Sequence, residues 1–354
     1  MQNHDSPPNP NSRRQSYKPA GMSPSVLKLL IFLLSSISST LASHRHIITI
    51  PSTVPRPAGF TWDPTAQHFV VGSASHPIIF SISDAGVAET IVSDPFISSI
   101  SSISIDKRRR RLLVAFSNPN TLTAYDLRSP RPHSRIFSSS LPASPGGIAV
   151  DPATGFIFVT GSDTGVIWRV DLEGIVSDFS KSAIYGGEGL VGVAHVRKGF
   201  LLVVQGKMGT VFKVDEESGA AKEVIGTNGS PAPEVSGIAM MADGAAVVAG
   251  GTGVRMVQGR DGWSEAAVTG EVKVGEGKKF EGVAVREGKS AYVLVAPAKE
   301  VGGGDSGSRI EEVEWEEEGD LLVLMVLVGF GLAYFLYWRF QMRELVSNMN
   351  KKRA

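Results

Sequence analysis

A five-residue segment recurs six times along this chain, and its spacing limits the possible folds more than any other feature. The copies read "GFTWD" from Gly59, "SISID" from Ser102, "GIAVD" from Gly147, "GVAHV" from Gly192, "GIAMM" from Gly237 and "GVAVR" from Gly282; their starts step by 43 and then four times by 45 residues. A fixed period of this size marks propeller blades, each a four-stranded antiparallel sheet. The third unit supplies "GIAVD", "FIFVTG", "VIWRVDL" and "IVSDF" as its strands, and the fourth supplies "GVAHV", "FLLVVQG", "TVFKVD" and "KEVIG". Turn sequences such as "PATG" and "SDTG" separate them. One place after the leading residue stand Phe60, Ile103, Ile148, Val193, Ile238 and Val283; two places after stand Thr61, Ser104, Ala149, Ala194, Ala239 and Ala284. Alternate side chains of a strand face opposite ways, and near a crowded axis one of the two faces must be small.

The expected fold class is therefore all-β: a six-bladed β-propeller over residues 44–318, followed by a C-terminal transmembrane helix. The last unit offers "GVAVR", "AYVLVA" and "RIEEVEW" and then lacks a fourth strand, which "HIITI", His46 to Ile50, is placed to donate. Pairing the beginning of the chain with its end removes the exposed sheet edges. A hydrophobic content of 42% supports a core of this size, and 39 glycines with 20 prolines suit many short strands and turns. Lys plus Arg and Asp plus Glu are both 35, so no overall field points to nucleic acid. The absence of cysteine excludes disulfides, thiol nucleophiles and cysteine-based zinc sites.

The two ends point to the secretory pathway. Residues 1–43 read as a polar lead and a signal peptide, with "VLKLLIFLLSSISSTLA" at 26–42 and a mature start near Ser43; Met22 is an alternative to Met1 as the start of translation, and a plastid transit peptide is the rival reading. Leu321 to Trp338, "LLVLMVLVGFGLAYFLYW", holds no charge, so residues 319–338 are expected to span a membrane. The basic tail 339–354, with Arg339, Arg343, Lys351, Lys352 and Arg353, then lies in the cytosol and the propeller in the lumen, as a type I single-pass protein. The terminal "KKRA" resembles a dilysine retrieval signal, Lys351 and Lys352, implying the endoplasmic reticulum membrane; the plasma membrane or another secretory membrane is the alternative. The sequon at Asn228 is a candidate glycosylation site on the lumenal side.

The stretches "PAGFTWDPTAQHFVVGS", Pro57 to Ser73, and "SISDAGVAETIVSD", Ser81 to Asp94, resemble plant proteins labelled calcium-dependent phosphotriesterase-like. These belong to the gluconolactonase, senescence-marker, paraoxonase and strictosidine-synthase-like propellers. The resemblance implies a calcium ion on the axis acting as Lewis acid on a lactone or ester, held by Glu, Asn and Asp just ahead of each inner strand's leading residue. The corresponding central-axis positions are Ala58, Ser101, Gly146, Val191, Ser236 and Glu281, of which only Glu281 is charged. One carboxylate and two hydroxyls make a poor calcium site, because a hard cation takes six to eight oxygens. A membrane-anchored binding or scaffold module with a degenerate metal site, no cofactor, and a lumenal protein or small molecule as partner is the expected function. The alternative is a calcium-dependent lactone or ester hydrolase with Glu281 as metal ligand.

Other candidate chemistry is weaker. His195 takes the slot held elsewhere by Trp62, Ile105, Val150, Met240 and Val285, so it is expected in the core rather than as a base. His68 and His76 have no acidic companion at metal-ligand spacing, and "GDSGS" at Gly304 to Ser308 lacks the partners of a nucleophile loop. Asp63, Asp106 and Asp151 precede turns, where aspartate serves as a cap. "DKRRRR", Asp106 to Arg111, is expected to be a solvated hairpin turn, with an acidic lumenal partner as the other reading.

Overall fold

Each repeat forms a sheet around a second strand that is mostly apolar and buried. Arg111–Ser117, Ile157–Gly161 and Phe200–Gln205 are buried along nearly their whole length, whereas the outer strand Arg135–Ser140 is largely exposed. A strand buried on both faces needs cover on both sides, which neighbouring blades provide. The computed structural model describes residues 45–96, 99–187, 189–226, 234–251, 253–273, 278–297, 307–315 and 320–351. The lead and signal segment 1–43, Met22 included, lies outside these residues.

Among the described residues six sheets follow in chain order, antiparallel except for one short pair in the fifth. Their inner strands are Pro57–Asp63, Ile100–Asp106, Pro145–Val150, Leu190–Val196, Val235–Met240 and Lys278–Arg286. The sixth sheet is completed by Ile47–Thr49, which pairs antiparallel with Arg309–Glu312 in the register Ile47 with Glu311, Ile48 with Ile310 and Thr49 with Arg309. The donated strand is thus where the sequence puts it. Apolar clusters of buried residues lie at all six junctions between consecutive blades, and the one across the seam joins Ile48, Ile50 and Val54 to Phe60, Phe69, Tyr292, Leu294 and Ile310.

The fourth blade departs from the expected strand "KEVIG". Only Ala221–Glu223 pairs within that blade; Ile225–Gly226 crosses over and pairs in parallel with Glu265–Lys273, making the fifth sheet five-stranded. Val224 sits between the two halves, buried in the cluster that joins these blades, so its side chain fixes the crossing point.

Every inner strand carries a register slip against its second strand, at the residues between Ala58 and Phe60, Ile100 and Ser102, Pro145 and Ile148, Leu190 and Gly192, Val235 and Gly237, and Phe280 and Gly282. Such bulges re-aim side chains at the rim of a sheet. Beside them the leading glycines let blades approach. A Cβ on Gly147 would stand 2.8 Å from the backbone nitrogen of Val193, and one on Gly192 would stand 3.0 Å from Ile238 Cγ2. One on Gly282 would meet Phe60 Cβ at 3.3 Å, across the seam of the ring.

Ionic contacts reinforce the same junctions. Arg110 donates from both terminal nitrogens to Asp63, at 2.6 and 2.9 Å, binding the second blade to the first. Arg111 is buried, donates to Asp106 at 2.8 Å and reaches the Gly155 carbonyl of the third blade at 3.1 Å, while Arg109 donates to the Ala153 carbonyl at 3.0 Å. The "DKRRRR" stretch does form the hairpin turn, but three of its arginines are clasps rather than solvated charges. Arg286 grips Asp84 with two bonds of 3.0 Å and lies 4.5 Å above the Trp62 ring, tying the last blade to the first. Burial would raise the Asp63 carboxyl, but the Arg110 guanidinium and the backbone N–H groups of Thr65 and Ala66 outweigh it and hold the group below the ordinary aspartate range.

A single helix, Asp320–Lys351, closes the described chain. A helix covers the expected span, but its transmembrane character is not shown. Among the described residues no helix is long and apolar enough to cross a membrane, and the side chains of residues 321–326, the first third of the expected span, are not among those described. The helix continues past the apolar run through Arg339 and Arg343.

Three substitutions check these junctions. Gly147→Ala should destabilise the protein by about 1–3 kcal/mol in urea unfolding. Gly237→Ala should stay within about 0.5 kcal/mol, since its nearest contact would be 3.6 Å away. Because the folded-state pKa of Asp63 is depressed, its contribution is present above about pH 4, the ordinary aspartate value, and is lost as pH falls toward the folded value. Arg110→Ala should therefore lower stability near neutrality by about 3 kcal/mol and flatten the acid limb of the stability–pH curve.

Candidate functional site

The inner strands enclose a cavity of about 930 Å³ along the ring axis. Its wall is built from the small positions of the repeat, Thr61, Ser104, Ala149, Ala194, Ala239 and Ala284, together with the bulged residues. Of the six expected central-axis positions, Ser101, Gly146, Val191, Ser236 and Glu281 line this channel. In the first blade the bulge falls one residue nearer the hairpin: Ala58 pairs with Gly72, and Gly59, at φ +67°, is the residue that reaches the channel. A left-handed φ at a bulge is a glycine conformation.

The donors at these positions do not form a calcium cage. Glu281 Oε1 lies 2.5 Å from Lys279 Nζ on the same strand, so its charge already has a partner. The Ser101 hydroxyl donates to the Ala115 carbonyl at 3.1 Å and the Ser236 hydroxyl to the Ala249 carbonyl at 3.2 Å, each bonded within its own blade. Gly146 and Val191 offer no side-chain oxygen, and a Cβ on Gly146 would stand 2.5 Å from the Leu190 carbonyl oxygen, leaving no room for a ligand side chain. Six to eight oxygens cannot converge from this set.

The chemistry gathers instead where the inner strands end in their turns. His195, on the inner strand of the fourth blade, lines the channel and is half-buried rather than packed in the core. Its Nε2 lies 3.1 Å from Glu216 Oε2 and 3.8 Å from Asp151 Oδ1. Asp151, at the end of the third blade's inner strand, is buried. Burial would raise its carboxyl, but the Thr154 hydroxyl, the N–H groups of Ala153 and Thr154 and the neighbouring His195 together bring it below the ordinary value. Asp151 is therefore an anion at neutral pH. Lys107, exposed at the channel mouth, lines it too; partial desolvation and the positive charge of Arg197 lower its pKa, against a pull upward from Asp63.

The sequence concealed this group because its members lie 44 and 21 residues from His195. The available signal was the offset between blades. Asp63 meets Arg110 of the following unit, and by the same logic Asp151 meets the unusual polar residue of the unit after it. The remaining candidates fall elsewhere. His68 bonds to Ser81 at 2.9 Å and His76 to Ser75 at 2.9 Å, while Gly304 to Ser306 of the "GDSGS" loop and the Asn228 sequon lie outside the described residues. Lys352 also lies outside them, and Lys351 ends the helix without a described side chain.

No family model matches this chain, and no curated protein does. Solved structures do resemble it. The major allergen Mala s 1 of Malassezia sympodialis superposes with a TM-score of 0.60 at 16% identity, over 77% of this chain and 96% of its own. Aldose sugar dehydrogenase from Streptomyces coelicolor, in a PQQ-bound form, gives 0.55 at 15% identity, over 77% and 99%. Virginiamycin B lyase from Staphylococcus aureus gives 0.52 at 12% identity, over 77% and 99%. At such identities the likeness is one of architecture, and it assigns the chain to the six-bladed propeller fold.

Proposed function

We propose that this protein is a binding or scaffold module, a propeller whose axial channel receives a small ligand or a segment of a partner protein, and that it does not work as a calcium-dependent lactone or ester hydrolase. The observation that carries this reading is the donor set at the inner-strand bulges: one carboxylate tied to Lys279, two hydroxyls bonded within their blades, and no side-chain oxygen at Gly146 or Val191. Solved structures of the same fold include both enzymes, such as the lyase and the dehydrogenase, and a protein described only as an allergen, so architecture alone favours neither reading.

Membrane attachment forms part of the proposal. It is supported by the charge-free run from Leu321 to Trp338, by the exposed Leu327, Phe330, Tyr334, Phe335 and Trp338 on the C-terminal helix, and by the basic residues that follow. Lys351 and Lys352 near the C-terminus support residence in the endoplasmic reticulum, with the propeller in the lumen.

Calcium provides the test. A site with a dissociation constant of about 10 μM would add about 2.7 kcal/mol to stability at about 1 mM calcium. The expected result is an unchanged melting temperature and no calorimetric binding. Micromolar binding that is lost in Glu281→Gln would instead establish the hydrolase reading.

A further inference from the structure

We propose that Asp151, His195 and Glu216 hold a divalent transition-metal ion of the zinc class, fastening the third blade to the fourth. The donors lie apart from Glu281, so this inference stands or falls separately from the calcium reading. The three ligand atoms, one from each residue, lie within 4.8 Å of one another, with His195 Nε2 3.1 Å from Glu216 Oε2 and 3.8 Å from Asp151 Oδ1. Ligands about 2.0–2.2 Å from a tetrahedral zinc ion lie about 3.3–3.6 Å from each other, and the two imidazole–carboxylate separations, 3.1 and 3.8 Å, bracket that spacing. Closing the gap between the two carboxylates falls to Glu216, the longer and more exposed side chain.

The details of Asp151 favour a ligand role. Its Oδ2 accepts from the Thr154 N–H at 2.9 Å and from the Thr154 hydroxyl, which uses both lone pairs. Its Oδ1 accepts from the Ala153 N–H at 2.8 Å, and this oxygen, with a second lone pair, is the one beside His195. The turn thus orients a buried carboxylate before any ion arrives, as outer partners of metal ligands do. Two carboxylates and a neutral imidazole give a net charge of −2, matching a divalent ion, and the nitrogen donor selects a zinc-class ion over calcium or magnesium. Asp151 belongs to the third blade, whereas His195 and Glu216 come from the first strand of the fourth blade and the turn after its third strand. An ion bound only by the assembled pair of blades stabilises the folded ring.

The experiment uses the full-length chain in detergent, without a histidine tag, stripped with EDTA and dialysed. Calorimetry with Zn²⁺ should show one ion per chain and a raised melting temperature, and Co²⁺ should give a visible spectrum that Zn²⁺ abolishes. Glu216→Gln, which can still hydrogen-bond to His195, should weaken Zn²⁺ binding by about tenfold or more, as should His195→Gln. No Zn²⁺ binding by the unmodified chain would overturn the proposal, leaving the three residues as an ion pair without metal. Unchanged affinity in both variants would overturn it equally. If a variant fails to fold, the stoichiometry and the Co²⁺ spectrum of the unmodified chain decide.

Discussion

The structure depends on one short pairing. Ile47–Thr49, from the beginning of the described chain, supplies the outermost strand of the last blade's sheet, and this pairing ties the first blade to the last. Ile48 of this strand and Ile50 just after it are buried against the first and last blades together, so the segment is both the outer hydrogen-bonded edge and part of the wedge at the seam. Without it, the second strands of those two blades would each lose cover on one face. Arg45 adds an ion pair to the buried Glu311 at 2.7 Å, placing charge as well as apolar surface at the closure.

The other junctions repeat this pattern with different residues. Apolar clusters lie between the blades, glycines let inner strands approach, and cations reach across turns to carboxylates or carbonyls. The first three blades use aspartate at the inner-strand terminus: Asp63 is met by Arg110 and Asp151 by His195 from the following blade, while Asp106 is paired within its own blade by Arg111, which also reaches the Gly155 carbonyl of the third. In this chain the ends of the inner strands serve cohesion. The channel they enclose is lined by small side chains such as Ala149 and Ala194 and by larger apolar ones such as Ile105 and Met240.

Much of this was legible in the repeat. Its period specified blade number, strand order and the donor of the missing strand, because stacking sheets about an axis imposes the same residue pattern on every unit. What the repeat could not reveal were the contacts that break it. His195 looked like a core residue because its counterparts are apolar, yet its two acidic neighbours come from another blade and another strand. The arginines of "DKRRRR" looked solvated because a hairpin turn is usually exposed, yet the adjoining blade supplies carboxylate and carbonyl acceptors. The split of "KEVIG" at Val224 likewise depends on a neighbouring blade, which no pattern within one unit records.

Hydrogen exchange at the seam tests the closure most directly. The Ile50 N–H donates to the Ser308 carbonyl at 3.1 Å and the Glu312 N–H to the His46 carbonyl at 2.9 Å, so both amides belong to the pairing that shuts the ring. If the ring depends on that pairing, these amides exchange only with global unfolding, with the same protection and denaturant dependence as buried second-strand amides such as those of Leu202 and Val293. Rapid exchange at Ile50 and Glu312, while Leu202 and Val293 stay fully protected, would show that the strand frays without consequence and would contradict the account.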